Sequence, residues 1–208
     1  MQQLVSSVLS LRESGMRGEV EKRMHELARN SSSEKKLFSE LCFCLLTANE
    51  RAAKGIEIQE KIKNGFLELP ERELTDFLKK HGYRFYNVRA KYIVEARKHF
   101  GDLKKMLRSH KTDHARREWL VKNVKGLGYK EASHFLRNTG FNGCAILDRH
   151  IVKVMHENKM MRGEPKTLNR KRYLEAEAKL GKLCSELGME QGELDFYLWY
   201  IKTGKILK

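Results

Sequence analysis

The chain has 208 residues and carries 42 Lys and Arg against 27 Asp and Glu, so its formal net charge is +15. This excess makes a polyanion the first expectation for a partner, and a merely well-charged surface is the alternative. We see no apolar stretch of transmembrane length and no pattern typical of a secretion signal, which argues against membrane-spanning and exported classes. We therefore expect a cytoplasmic protein that makes no membrane contact.

The cysteines argue against a disulfide framework or a metal centre. Cys42, Cys44, Cys144 and Cys184 include no C-x-x-C pair. Cys42 and Cys44 are two residues apart in a helical run, where both cannot face one metal ion. We expect reduced thiols, no metal and no cofactor.

Helical periodicity dominates the chain from its N-terminal part onward, and we find no convincing strand. Ser31 and Glu34 have the spacing of a capping box at the start of one such helix. The clearest apolar stripes are Leu37, Leu41, Cys44 and Leu45; Tyr92, Ile93, Ala96 and Phe100; Leu120, Val121 and Val124; and Leu194, Tyr197, Leu198 and Ile201. Breaks at glycine, asparagine and proline predict nine or ten helices with short loops, and hence an all-α protein with two helical lobes side by side.

The most informative stretch is residues 119–136, which reads as a helix, a two-glycine turn and a second helix. Gly126 and Gly128 flank a single leucine, so the backbone there can turn sharply and approach a ligand closely. The second helix aims its free amide groups at the turn, where phosphate is the expected ligand. An ordinary turn between two helices is the alternative.

Lys130 lies two residues beyond Gly128, in the first turn of the second helix. A lysine at the positive end of a helix dipole holds more of its amine in the neutral, nucleophilic form. A phosphate contact explains the residue equally well. Further along, an apolar run delivers Asp148 to the start of another helix. A cap explains Asp148 by itself, but a rigidly held carboxylate can also stabilise positive charge in a reaction.

These features resemble the helix-hairpin-helix superfamily of DNA glycosylases, in which a GxG hairpin precedes a lysine and, later, the pattern Asp-x-His. Residues 40–49, 81–86, 128–138 and 199–208 are similar to the compact 8-oxoguanine DNA glycosylase/AP lyase branch of archaea and some thermophilic bacteria. The four segments occur in the right order and span nearly the whole chain. The resemblance implies an enzyme that excises 8-oxoguanine through a lysine Schiff base and then cleaves the abasic strand by β-elimination.

The resemblance also implies how the chain is organised. Residues 1–32 and 141–208 would form a terminal lobe with the catalytic aspartate, and residues 33–140 a middle lobe with the hairpin and the catalytic lysine. Duplex DNA with 8-oxoguanine opposite cytosine would bind a monomer across the intervening cleft, at the nucleoid. The chain lacks a cluster of four cysteines after the aspartate, so no iron-sulfur cluster is expected.

Three groups of site residues follow from the resemblance. They are the catalytic residues Lys130 and Asp148; the DNA-binding residues Lys125, Gly126, Gly128, His150, Arg84 and Phe85; and the base-recognition residues Lys208, Trp199 and His134. Packing roles are the alternative for His150, Phe85 and Trp199. Two other functions stay open at this point: a DNA-binding module without catalysis, and a glycosylase for a different base. The C-terminal Thr-Gly-Lys-x-x-Lys segment argues against a different base.

Overall fold

The structure, a computed structural model, describes residues 2–208, and all regular secondary structure in that range is helical, with no strand among those residues. The α-helices are α1 (Gln2–Glu13), α2 (Met16–Ala28), α3 (Glu34–Thr47), α4 (Ala52–Ile62), α5 (Gly65–Glu68), α6 (Glu71–Lys80), α7 (Tyr86–Ala96), α8 (Leu103–Ser109), α9 (Asp113–Asn123), α10 (Tyr129–Arg137), α11 (Arg149–Glu157), α12 (Arg170–Leu187) and α13 (Gln191–Thr203). The all-α prediction is confirmed. The helices outnumber the nine or ten expected because a turn such as 110–112 contains no glycine, asparagine or proline.

Buried side chains form two hydrophobic clusters. The first is drawn from residues 37–144 and surrounds α3, in which every residue from 40 to 47 is buried. The second is drawn from residues 4–27 and 145–198, so the two ends of the chain pack together. The chain crosses from the first cluster to the second between Cys144 and Ala145. Asp148 follows this crossing almost at once.

The start of α3 differs from the predicted capping box. Ser31 lies inside a short 3₁₀ helix, Arg29–Ser32. The cap is instead Ser33, whose extended backbone lets its hydroxyl accept a hydrogen bond from the Lys36 amide at 3.3 Å. Consecutive serines offer the same capping chemistry, so only the backbone conformation distinguishes them.

Two positions of the predicted apolar stripes lie at the surface. Phe100 and Ile201 are each 38% exposed. Phe100 comes after the end of α7 and a 3₁₀ turn, so the helical stripe does not reach it. Ile201 lies in the last turn of α13, beyond the edge of the second cluster. The four cysteines are free and buried. Among the described residues, no helix has the length and apolar character needed to cross a membrane.

The glycine hairpin joins α9 to α10, as predicted. Gly126 has a φ of +92°, and a Cβ atom at this position would overlap the ring of Tyr92. Both the backbone conformation and the available space therefore require glycine. The Gly128 amide ends the turn and donates to the Glu131 carboxylate at 3.2 Å. Lys130 consequently occupies the second position of α10.

Candidate active site

A cleft of about 1220 Å³ opens between elements of the two hydrophobic clusters. Its lining includes Thr47, Lys130, His134, Asp148, Trp199 and Lys208. The two residues predicted to be catalytic and the three predicted to recognise the base thus line the same cleft, although they come from distant parts of the chain. The fold therefore gathers these groups around one cleft.

Lys130 enters the cleft from the first turn of α10. Its side chain is 25% exposed, and Nζ lies 3.0 Å from Glu131 Oε1. The amine also donates to the Thr47 carbonyl at 3.4 Å, which is a long hydrogen bond. A flexible four-carbon side chain with these two contacts can swing toward a ligand without disturbing the fold.

Asp148, unlike Lys130, is held in place by short hydrogen bonds, as the N-cap of α11. Its Oδ1 accepts hydrogen bonds from the amides of His150 and Ile151 at 2.8 and 2.9 Å. Among residues 2–208, no hydrogen bond reaches Oδ2. One carboxylate oxygen therefore fixes the side chain, and the other is available to a ligand in the cleft.

The C-terminal Lys208 is anchored in the wall of the cleft. Its Nζ donates to Glu40 Oε2 at 2.9 Å and to Gln59 Oε1, and it lies 4.0 Å from the centre of the Phe43 ring. A chain terminus is usually frayed. Here, a charged pair and a cation–π contact hold the last residue against α3 and α4.

His134 and Trp199 present unpaired polar atoms in the cleft. Nε2 of His134 and Nε1 of Trp199 are buried and have no hydrogen-bond partner within the described chain. Burial lowers the pKa of His134 well below its usual value, and the nearby cations Arg137 and Lys130 add to this effect. The imidazole is therefore neutral. Buried polar atoms usually have partners, so these two are candidates for contact with a ligand.

Arg137 and Asp195 form an ion pair in the same wall. Arg137 Nη1 donates to Asp195 Oδ2 at 2.7 Å, and the two side chains are 4% and 11% exposed. Burial raises the pKa of Asp195 to about 7; the positive charge of Arg137 opposes this rise, and the negative charge of Asp148 adds to it. The pair connects α10 with α13 and supports the cleft between them.

The predicted DNA-binding residues are only partly gathered at the cleft. Gly128, His150 and Arg84 line it. The Trp199 ring meets His150 edge-on, with ring centres 4.5 Å apart. The other three predicted residues, Lys125, Gly126 and Phe85, lie outside this lining, on neighbouring surface.

The neighbouring surface is basic and aromatic. Phe85 is 38% exposed, so its packing alternative is wrong, and the Arg84 guanidinium lies 5.0 Å from its ring. Lys125 is 58% exposed, with Nζ 3.6 Å from Glu95 Oε1. Exposed cations beside an exposed aromatic ring suit a nucleic-acid surface.

Glu40 is the polar residue that sequence reasoning missed. It is 1% exposed and accepts hydrogen bonds from Asn138 Nδ2 at 2.6 Å and from Lys208 Nζ at 2.9 Å. A glutamate in the middle of an apolar helix was the available signal, because a buried charge requires partners. The identity of those partners is not visible in the local sequence.

Comparison with known proteins identifies the fold first. A solved structure of endonuclease III, trapped in a covalent intermediate with DNA, is similar in fold. The match covers 88% of this chain and 84% of the endonuclease III chain, with a TM-score of 0.58 and 16% sequence identity. At this identity, the likeness shows the fold alone. The chain thus has the all-helical fold of the helix-hairpin-helix glycosylases.

Closer matches identify the family. The profile of a family described as 8-oxoguanine DNA glycosylase matches residues 20–189. The 8-oxoguanine DNA glycosylase/AP lyase of Methanocaldococcus jannaschii is 47% identical over 207 residues, covering 99% of both chains. A crystal structure of the M. jannaschii enzyme with a 15mer DNA containing 8-oxoguanine has a TM-score of 0.95 and 45% identity, covering 99% of this chain and 100% of its own. The chain belongs to the 8-oxoguanine DNA glycosylase family.

Proposed function

We propose that this protein excises 8-oxoguanine from duplex DNA and then cleaves the abasic strand by β-elimination. The observation that carries the proposal is the convergence of Lys130, Asp148, His134, Trp199 and Lys208 on one cleft in a chain of this family. The similar M. jannaschii enzyme, which is named as both a glycosylase and an AP lyase, supports both activities. The net charge of +15 supports a polyanionic substrate.

The proposed reaction begins with the lesion outside the helix. A sugar within stacked duplex DNA is inaccessible, so the nucleotide must rotate into the cleft. Nζ of Lys130 then attacks C1′ as the bond from C1′ to the base breaks, and the departing base takes up a proton. The bond between C1′ and O4′ then breaks, O4′ takes up a proton to become a hydroxyl, and a Schiff base remains between Nζ and C1′. Loss of a C2′ proton then expels the 3′ phosphate oxygen and cuts the strand.

Asp148 assists two of these steps in the proposal. Its carboxylate stabilises the positive charge that develops on the sugar, and it takes up the proton that the attacking amine loses. Oδ1 is engaged by the α11 amides, so Oδ2 is the oxygen that performs these tasks. The cap keeps the carboxylate in place throughout the reaction.

Recognition of the base is assigned to the inner wall of the cleft. 8-Oxoguanine carries a hydrogen on N7, whereas guanine has a lone pair there. The terminal carboxylate of Lys208 accepts a hydrogen bond from the N7–H of 8-oxoguanine. With guanine, the lone pair on N7 repels the carboxylate and leaves this buried charge without a partner, so guanine is rejected. Trp199 provides a stacking platform, and the unpaired His134 Nε2 offers a further polar contact.

The duplex lies across the cleft between two lobes, one formed by residues 33–140 and the other by residues 1–32 and 141–208. Backbone phosphates are held by the hairpin residues Lys125, Gly126 and Gly128 and by His150, and the space left by the rotated nucleotide is filled by Arg84 and Phe85. These two residues face the unpaired base, which we infer to be cytosine. We further infer that the protein acts on nucleoid DNA as a monomer.

Incubation with a panel of lesion duplexes tests the proposal. We expect release of 8-oxoguanine, strand cleavage without alkali, and a covalent complex when borohydride is present. Placing each of the four bases opposite the lesion measures the preference for cytosine. Tight binding with neither base release nor a trapped complex would instead identify a DNA-binding module without catalysis.

A further inference from the structure

A buried ion pair outside the described chemistry connects the two hydrophobic clusters. Arg117 of α9 is fully buried, and its two terminal nitrogens donate to the Glu177 carboxylate of α12 at 2.5 and 2.7 Å. A buried ion pair is seldom more stabilising than apolar side chains of similar volume, because both charges must leave water. Stability alone is therefore a weak explanation for this pair. Its hydrogen-bond partners suggest another one.

On one side, the ion pair reaches the helix that carries Lys130. The hydroxyl of Ser133, one turn along α10 from Lys130, accepts from Arg117 Nη1 at 3.2 Å and lies 3.4 Å from the Tyr173 hydroxyl. The Arg117 guanidinium also lies 5.0 Å from the ring of Tyr129, the residue before Lys130. The turn of α10 that bears Lys130 is thus contacted at both of its ends.

On the other side, the same group of residues holds the backbone just before Asp148. Glu177 Oε1 accepts from the Ala145 amide at 2.9 Å. The Tyr173 hydroxyl lies 2.7 Å from the Ala145 carbonyl, to which it donates, and it accepts from the Leu147 amide at 3.3 Å. This stretch is neither helix nor strand, so side-chain hydrogen bonds take the place of regular backbone pairing.

We propose that Tyr173 and Ser133, fastened by the buried ion pair, are positioning residues that set Asp148 relative to Lys130. The inference rests on the proposed function, because only then must both groups act on one sugar. Lys130 stands on a helix of the first cluster, and Asp148 follows a segment of the second. A displacement of about 1 Å between reacting groups can cost about 100-fold in rate, so a rigid connection across the cluster boundary has catalytic value.

Tyr173→Phe tests this role because it removes one hydroxyl and leaves the ring. We expect single-turnover release of 8-oxoguanine to fall about 10- to 100-fold. Affinity for the lesion duplex should stay within about twofold, because phosphate contacts dominate binding. The matched control is Tyr83→Phe. Tyr83 is also buried, and its hydroxyl donates to the Leu46 carbonyl at 2.6 Å, but both residues belong to the first cluster. The control should show a decrease in melting temperature comparable to that of Tyr173→Phe and keep its excision rate.

Ser133→Ala provides an independent variant with a smaller change in volume. It should slow excision in the same direction, and the double variant with Tyr173→Phe should lose less than the product of the two single losses, because both act through one contact. If Tyr173→Phe does not fold, Ser133→Ala decides the question by itself.

The outcomes separate this inference from the proposed function. Excision by Tyr173→Phe and Ser133→Ala at the rate of the Tyr83→Phe control would overturn the inference. So would a loss of rate matched by an equal loss of DNA affinity, since that result indicates general damage to the fold. The proposed function fails on a different result: no 8-oxoguanine release by the unmodified protein, whatever the variants do.

Discussion

Lys130 and Asp148 face the same cleft from the N-terminal ends of two helices that begin differently. Helix α10 begins after Gly128, and Lys130 projects from it on a long side chain with one ion pair and one weak hydrogen bond. Helix α11 begins directly after Asp148, whose carboxylate caps it. A nucleophile has to move toward the atom it attacks, whereas a group that stabilises charge works best when it is fixed in advance. The two helix starts match these two requirements.

The largest expected effect comes from removing the amine of Lys130. Lys130→Gln should abolish both base release and the borohydride-trapped complex, because the nucleophile is lost, while DNA binding persists. Gel-shift and trapping assays on the same 8-oxoguanine duplex measure both properties. Lys182→Gln, an exposed position of α12 outside the cleft, is the charge-matched control. A trapped complex of normal yield in Lys130→Gln would remove Lys130 from the mechanism.

Substitution of Asp148 should have a smaller effect and should separate its catalytic role from its capping role. Asparagine caps helices about as well as aspartate, so Asp148→Asn should keep the melting temperature yet slow excision by about 100-fold or more. Asp148→Ala should show the same loss of rate together with about 1 kcal/mol of lost stability, because the cap is gone. Single-turnover kinetics and thermal unfolding measure these effects. Full activity in Asp148→Asn would leave only the capping role.

Lys208 is a third case, in which a chain end is fixed by its own side chain. Deleting it removes the contacts with Glu40, Gln59 and Phe43 along with the terminal carboxylate. We expect selectivity for 8-oxoguanine over guanine to fall about 10-fold or more, as for a lost charge-assisted hydrogen bond. Strand cleavage at a preformed abasic site should change little.

A tag on the C-terminus should have the same effect as the deletion, and the same tag on the N-terminus is the control. Competition between 8-oxoguanine and guanine duplexes measures selectivity directly. Unchanged selectivity in both the Lys208-deleted and the C-terminally tagged proteins would indicate that Trp199 or His134 recognises the base instead.

The smallest expected effect concerns the support of the cleft and depends on pH. Burial raises the pKa of Asp195 from 3.8 to about 7, against the opposing charge of Arg137. A raised pKa means that the folded state binds the proton more tightly than the unfolded state. The stability from this group is therefore fully present below about pH 4 and is lost as pH rises toward 7.

Comparison with Asp195→Asn isolates this contribution. The free energy of unfolding of the unmodified protein, relative to that of Asp195→Asn, should decrease between pH 4 and 7. Denaturant unfolding of both proteins across that range measures the difference. A difference that does not change with pH would mean that Asp195 stays ionised in its pair with Arg137 throughout.

Local sequence patterns determined the all-α class, the glycine hairpin, and the placement of Lys130 and Asp148 at helix starts. Each of these depends on interactions within about one or two turns: helical periodicity, the freedom of Gly126 to adopt a positive φ, and the capping geometry of Asp148. Such short-range preferences can be read before any long-range contact is known. The family resemblance added the expected roles of these residues.

Only the tertiary structure decided which distant groups meet. Local patterns placed Phe100 and Ile201 in buried stripes, but burial depends on where the opposing cluster ends. The partners of Glu40 come from helix ends and the C-terminus, and the Arg117–Glu177 pair joins α9 to α12. A buried charge signals that a partner exists but not which one, because that choice depends on how the two clusters pack against each other.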